Sequence, residues 1–341
     1  MLAARYHQNA KNVVVEDVQV PTLAKNEVLV KIGGIGVCHS DLHLVNGLIS
    51  VPKYPVTLGH EGAGTVEKIG ENVKDIKIGD RVALFYLSVC GECEYCITGR
   101  ENLCDKLLNL GFEMEGTWAE YVKVPASSVI KLPEGIPFEQ AALAGCAVVT
   151  PFHANFEGNV QPGKSVAIIG IGGVGFHGLE WSRIFGGGPI IAVDINDEKL
   201  KRAKNNGADY TVNAKNENTI EAIKRLTGGT GADIVFEYIG NKQTMENAIK
   251  STKKGGRTVM VGITPQTIEY NALDLLNNGQ TITVCQNHTR DQLKAVLRLM
   301  VLGRIDINKS ITGRHSLKDA PVAVDELNQQ KNNPTRIVLI P

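Results

Sequence analysis

A chain of 341 residues divides, at roughly 150 residues per domain, into about two domains, each long enough to bury its own core. With 43% hydrophobic and 21% charged residues it lies far from the composition of disordered chains. Lys+Arg and Asp+Glu both number 36, so no net positive field draws in a nucleic acid or an anionic membrane, and neither partner is expected. Apolar runs such as 166–171 and 259–263 fall far short of the ~18 residues of a membrane span. The start MLAARYHQNAKNVVVEDV has no apolar signal region, so a cytoplasmic protein is expected.

Up to about residue 135 the apolar runs are short, often alternating, and broken by Gly, Pro, Asn and Asp: VVVEDVQV, EVLVKIGGIGV, EGAGTVEKIG, DRVALFYL, TWAEYVKVP. That pattern predicts many short strands in a mainly β, antiparallel or barrel-like domain. Between about 150 and 287 the runs become continuous and β-branched (SVAIIG, PIIAVDI, YTVN, ADIVFEYIG, GRTVMVGI, TITVCQ) and are separated by stretches of helical length. Parallel strands covered on both faces by crossover helices look like this, so a doubly wound α/β unit is expected there. A helix is expected over 289–302, with Leu293, Val296, Leu297 and Met300 on one face, and the chain closes on a strand, TRIVLIP, expected to pair back into the first domain.

Seven cysteines, an odd number in a chain read as intracellular, argue for reduced thiols rather than a disulfide framework. Cys90, Cys93, Cys96 and Cys104 fall within one short loop whose Cys-x2-Cys turns suit tetrahedral zinc, with Gly91 and Gly99 relaxing the backbone. Four thiolates leave no open position, so this zinc is structural. Cys38, in Cys-His-Ser-Asp-Leu-His, and His60, in Gly-His-Glu, join Cys146 as three ligands from separate segments. Three protein ligands leave one position open, as a catalytic zinc requires.

In the second domain Gly170-Ile171-Gly172-Gly173-Val174-Gly175 closes the strand SVAIIG and opens a helix, and Asp194 ends the next strand. Glycines there let the backbone approach a pyrophosphate at the helix N-terminus, while the carboxylate bonds the adenosine ribose. A carboxylate at Asp194 repels the extra phosphate of NADP, so NAD is the expected cofactor.

Taken together, these motifs and their order resemble the zinc-dependent, medium-chain alcohol dehydrogenases nearly end to end. The resemblance implies a doubly wound parallel Rossmann sheet over 149–287 and a GroES-like β-barrel catalytic domain formed by 1–148 and 288–341. It implies two zincs per chain, one catalytic on Cys38, His60 and Cys146, with Glu61 beside it and Asp41 accepting a hydrogen bond from the other nitrogen of His60. Ser40 would take the hydroxyl proton of the alcohol and pass it through the nicotinamide ribose to His43. Thr150 would contact the nicotinamide, Lys199 the ribose, His39 and Arg336 the pyrophosphate, and Ile263 would belong to the cofactor site. Ile49 and Tyr86 would line the pocket, the aromatic favouring a slender alcohol, whereas Trp118 and Cys285 read as buried packing residues. The activity implied is reversible oxidation of primary or secondary alcohols to aldehydes or ketones by hydride transfer to NAD, with a polyol or sugar dehydrogenase as the alternative. A homotetramer is expected, with a dimer as the alternative, because the long insertion of the animal dimeric enzymes is absent. The glycine-rich stretch 185–189 is expected to pack loosely.

Overall fold

The computed structural model describes residues 1–341, which form two compact units, Met1–Val149 with His288–Pro341, and Thr150–Asn287. No helix is long and apolar enough to cross a membrane.

The first unit is built on a seven-stranded sheet in the order Val129–Lys131, Arg81–Leu84, Gly62–Ile69, Glu27–Val37, Arg336–Ile340, Ile311–Ser316, with Tyr121–Pro125 also paired to Glu27–Val37. All its ladders are antiparallel except the last pair, Ile311–Ser316 with Arg336–Ile340. The closing strand pairs with the long central one, Ile337 opposite Val37 and Leu339 opposite Ile35, which puts Arg336 beside the end of the strand that leads into Cys38. Glu27–Val37 is almost continuously buried, so it reads as apolar on both faces rather than alternating. Gly36 in this strand is required by close approach: a Cβ there would lie 1.8 Å from Oε2 of Glu61. Trp118 is fully buried and donates its indole N–H to the Gly36 carbonyl at 3.3 Å, as a buried indole must find an acceptor.

The second unit is a six-stranded, all-parallel sheet in the order Tyr210–Asn213, Ile190–Asp194, Val166–Ile169, Ala232–Glu237, Thr252–Met260, Thr281–Val284. Strand order reverses beside Val166–Ile169, and the crevice at the carboxyl ends of the strands at that switch point is where such sheets bind ligands. Val166–Ile169 and Ile190–Asp194 are buried along their whole length, and their side chains enter two apolar clusters, one on Ile168, Phe176, Leu179 and Phe236, the other on Ile169, Val193, Val235 and Ala248. The glycine-rich stretch packs more tightly than its composition suggests. Gly186 sits at φ +89°, and a Cβ on Gly187 would meet Val166 at 2.9 Å, so these glycines fit a close turn rather than loosen it. Cys285 is largely shielded, its thiol 3.4 Å from the Thr150 carbonyl.

Candidate functional site

Cys38 ends the turn after Glu27–Val37 and precedes the short helix His39–Val45. His60 and Glu61 lead into Gly62–Ile69, the neighbouring strand, while Cys146 lies in a single π-helical turn, Ala144–Val148. Such a turn widens the helix locally and is often found at functional sites. The metal-binding atoms of Cys38, His60, Glu61 and Cys146 all lie within 4.8 Å of one another, and all four residues are buried. Two thiols, an imidazole and a carboxylate form a donor set suited to zinc. Oε1 of Glu61 is buried without a hydrogen-bond partner, the kind of unsatisfied donor atom that a cation would complete.

The electrostatics of the cluster arise from its crowding. The Cys38 thiol is held well below its ordinary value, chiefly by its hydrogen bond with Cys146, whose own thiol is pushed up by the same contact. A metal binds thiolates and would displace the protons of both sulfurs. Burial pushes the His60 imidazole down, but the adjoining Asp41 carboxylate and Cys38 sulfur outweigh it and leave it well above its usual value. Burial pushes the Glu61 carboxyl up to about 7 against the pull of the Arg336 guanidinium.

Asp41 does two jobs. Oδ1 accepts from His60 Nδ1 at 3.1 Å, and Oδ2 accepts the Cys38 backbone N–H at 3.1 Å, closing the start of the helix. A carboxylate can only accept, so Nδ1 carries a hydrogen and Nε2 is the nitrogen that would release its proton to take a metal. Asp41→Ala is expected to weaken metal retention about 10- to 100-fold, the usual cost of losing such a partner, as read by competition with a chelator.

The structure also brings Arg336 to this cluster. It is 3% exposed, and its guanidinium is paired with Oε2 of Glu61, because the closing strand runs beside Gly36 and Val37 and delivers the side chain into the cluster. His39 is exposed, its Nε2 3.4 Å from the Gln330 side-chain nitrogen. Ser40 Oγ is 3.8 Å from the Cys38 sulfur, and burial holds half-buried His43 below its ordinary value, so its ring is neutral and able to accept a proton near pH 7. Ile49 is half-buried; Tyr86 is buried, its ring centroid 5.1 Å from that of His60. Phe112, which the sequence did not single out, lies 5.8 Å from the same imidazole.

The four-cysteine loop also closes on itself. Cys104 Sγ is 3.5 Å and Cys96 Sγ 3.9 Å from Cys90 Sγ, and all four sulfurs lie within 4.8 Å of one another. Gly91 and Gly99 take φ of +78° and +76° at its turns. Backbone N–H groups, that of Asp105 foremost, draw Cys93 down to about 6, whereas burial drives Cys96 up to about 12.

In the second unit the glycine loop runs from Val166–Ile169 into the helix Gly173–Ile184, with Val174 half-buried in its first turn. Gly170 has φ +94°, and a Cβ on Gly175 would lie 1.8 Å from the Gly170 carbonyl oxygen, so helix and loop touch there. A Cβ on Gly172 would meet nothing within 4 Å, which leaves the outer side of the loop open to a ligand. Asp194 fixes this loop: Oδ2 accepts the Ile171 N–H at 2.8 Å, and Oδ1 accepts those of Ile195 and Asn196 at 2.7 and 3.0 Å. Lys199, half-buried, is held below its ordinary value by burial, against the pull of Asp194. Thr150 is half-buried in the helix Val149–Glu157, and Ile263 is 52% exposed beyond Thr252–Met260. Sequence reasoning also passed over Glu237, whose buried carboxylate accepts from Ile239 N, Gly240 N and Thr244 Oγ1 at 2.9, 3.0 and 2.7 Å and ties the turn after its strand. Its signal was an acidic residue ending an otherwise apolar strand.

A family model described as "Alcohol dehydrogenase GroES-like domain" matches residues 24–134, and one described as "Zinc-binding dehydrogenase" matches residues 173–301. An alcohol dehydrogenase of Geobacillus stearothermophilus is 39% identical over 307 residues, 89% of this chain and 90% of that protein. A sorbitol dehydrogenase of Bacillus subtilis (strain 168) is 32% identical over 350 residues, 100% of this chain and 97% of that protein. Among solved structures, alcohol dehydrogenase TADH from Thermus sp. ATN1 matches with a TM-score of 0.92 at 31% identity, covering 100% of this chain and 99% of that one. With a GroES-like unit and a Rossmann sheet that these matches span, the chain is an oxidoreductase that belongs to the zinc-dependent medium-chain alcohol dehydrogenase family.

Proposed function

We propose that the protein is a zinc- and NAD-dependent alcohol dehydrogenase that interconverts primary or secondary alcohols with aldehydes or ketones by hydride transfer. The observation that carries this reading is the buried convergence of Cys38, His60 and Cys146 around one point, with Glu61 beside it and Asp41 fixing the imidazole. Zinc held by the two sulfurs and Nε2 supplies Lewis acidity that makes the hydroxyl of an alcohol a stronger acid. The second zinc belongs to Cys90, Cys93, Cys96 and Cys104, where it has a structural role. The chain's own residues do the rest. Ser40 accepts the hydroxyl proton at Oγ as it gives up its own, and His43 is the group that holds the released proton at a ring nitrogen for exchange with water. Glu61, pinned by Arg336, keeps a carboxylate oxygen within the donor set.

The second unit supplies the nucleotide site. Backbone N–H groups at the start of Gly173–Ile184 face the pyrophosphate, and the open side of Gly172 lets it approach. Asp194, already fixed by three backbone donors, offers its remaining lone pairs to the ribose and repels a 2′-phosphate, which favours NAD. Asp194→Asn keeps an acceptor and removes the charge, and is expected to raise the NADP:NAD ratio of kcat/KM about 10- to 100-fold, since a like-charge contact costs several kcal/mol. Steady-state kinetics with both nucleotides checks this.

The assembly is a homotetramer, with a dimer as the alternative. The edge strand Thr281–Val284 and exposed Leu273, Leu276 and Val284 supply apolar surface for a second copy. Sedimentation equilibrium tests the state.

The test of the reaction is NADH formation with a panel of primary, secondary, aromatic and polyhydric alcohols. Turnover of simple alcohols supports the reading. Activity confined to polyols would move the chain to the polyol branch, to which the sorbitol dehydrogenase relative belongs.

A further inference from the structure

The wall beside the metal cluster has a second layer that its motifs do not show. Tyr86 packs edge-on against His60, their ring centroids 5.1 Å apart and their planes 69° apart. Behind Tyr86 stands His288, fully buried, edge-on to Tyr86 at 5.2 Å and to Phe85 at 5.4 Å. The Tyr86 ring thus makes edge-on contact with two imidazoles, those of His60 and His288.

The next two residues of the chain hold His288 in place. Thr289 caps the helix Arg290–Val301, its backbone N–H bonded to Gln292 Oε1 at 3.0 Å. Arg290 clamps Glu101, which is 6% exposed: the Arg290 backbone N–H donates to Oε1 at 2.6 Å, and Nε and a terminal nitrogen donate to Oε2 at 2.8 and 2.5 Å. A further guanidinium nitrogen donates to the Ser127 carbonyl at 3.2 Å, and the group lies 6.0 Å over the Phe85 ring. A part-buried ion pair reinforced by a backbone hydrogen bond, two residues from His288, leaves that segment little freedom.

We propose that His288 is the residue that determines substrate width: it positions the Tyr86 ring against His60 and thereby restricts the site to small or slender alcohols. The proposal rests on the reading of this cluster as an alcohol site. His288 acts through Tyr86, so it is a positioning residue, and its signature is a change in the profile across substrates rather than a uniform loss. In a well-packed pocket one methylene changes kcat/KM by about 10- to 200-fold, so release of an aromatic wall is a large effect on that scale.

The experiment compares kcat and KM for ethanol, branched secondary alcohols and benzyl alcohol in the unaltered enzyme, His288→Ala and His288→Phe, with zinc per chain measured in each. In His288→Ala the benzyl-to-ethanol ratio of kcat/KM is expected to rise at least about tenfold, chiefly through a lower KM for benzyl alcohol. In His288→Phe, which keeps a ring behind Tyr86, the ratio is expected to stay within about threefold of the parent. Should the alanine variant not fold, His288→Leu keeps bulk without the ring and carries the same comparison. A parent-like ratio in a folded, zinc-replete His288→Ala or His288→Leu overturns the proposal, as does a phenylalanine variant shifted as far as the alanine one. Absence of turnover by the unaltered enzyme with every alcohol would instead sink the reading of the site, and the proposal with it.

Discussion

Cys146→Ala is expected to lower alcohol turnover by at least about 10³-fold, the scale of removing a principal charge-stabilising group. The sulfur sits in the π-turn Ala144–Val148 and reaches a cluster otherwise made by Cys38, His60 and Glu61. Its removal leaves one thiolate, one imidazole and the Glu61 carboxylate, whose other oxygen is held by Arg336, a weaker donor set for zinc than two thiolates and an imidazole. The four-cysteine loop is untouched, so the variant is expected to hold one zinc per chain where the parent holds two, with its far-ultraviolet circular dichroism unchanged. Elemental analysis beside the rate measurement separates this outcome from unfolding. A variant with one zinc and undiminished turnover would remove the metal cluster from the reaction.

The second large effect is expected at Gly175. A Cβ there would stand 1.8 Å from the Gly170 carbonyl oxygen, a contact with backbone that no rotamer relieves. Gly170 cannot retreat easily, since its N–H is bonded to the Val193 carbonyl at 2.8 Å and its φ of +94° suits only glycine. Gly175→Ala must therefore push helix and loop apart, which is expected to cost about 1–3 kcal/mol of stability. It is expected to weaken NAD binding at least about 100-fold, equivalent to roughly 2.8 kcal/mol. Gly172→Ala is the informative partner. Its Cβ meets nothing within 4 Å, so stability is expected to hold while NAD affinity still falls, because the methyl occupies the approach to the loop. Urea unfolding and nucleotide titration on the two variants check both halves; equal NAD affinity in Gly172→Ala and the parent would place the nucleotide elsewhere.

The features legible in the sequence and those hidden in it divide along physical lines. The parallel sheet was legible because strands buried on both faces must be continuously apolar, as Val166–Ile169 and Ile190–Asp194 are. The convergence of the four sulfurs of Cys90, Cys93, Cys96 and Cys104 was legible because these cysteines are near neighbours in the chain. The Asp41–His60 bond, 19 residues apart, emerged only through resemblance, and the structure shows it together with the cap at Cys38. The Arg336–Glu61 pair joins residues 275 apart, and nothing in local spacing shows that a strand arginine reaches the cluster. His288 and Arg290 were silent for the same reason: one lies near Tyr86, the other on Glu101, only through the return of the chain to its first unit. Glycines misled in one place and informed in another. At 186 and 187 they signalled looseness and fit a close turn, whereas Gly36, unremarkable in its strand, makes the room that Glu61 occupies.

The central claim is that a metal held by Cys38, His60 and Cys146 is what makes this chain a dehydrogenase. The most direct test measures NADH formation from a simple alcohol before chelation, after removal of the more labile metal, and after stoichiometric zinc is restored. The account predicts that turnover disappears when one of two zincs per chain is lost and returns with its replacement. Turnover that persists with that zinc gone would contradict it.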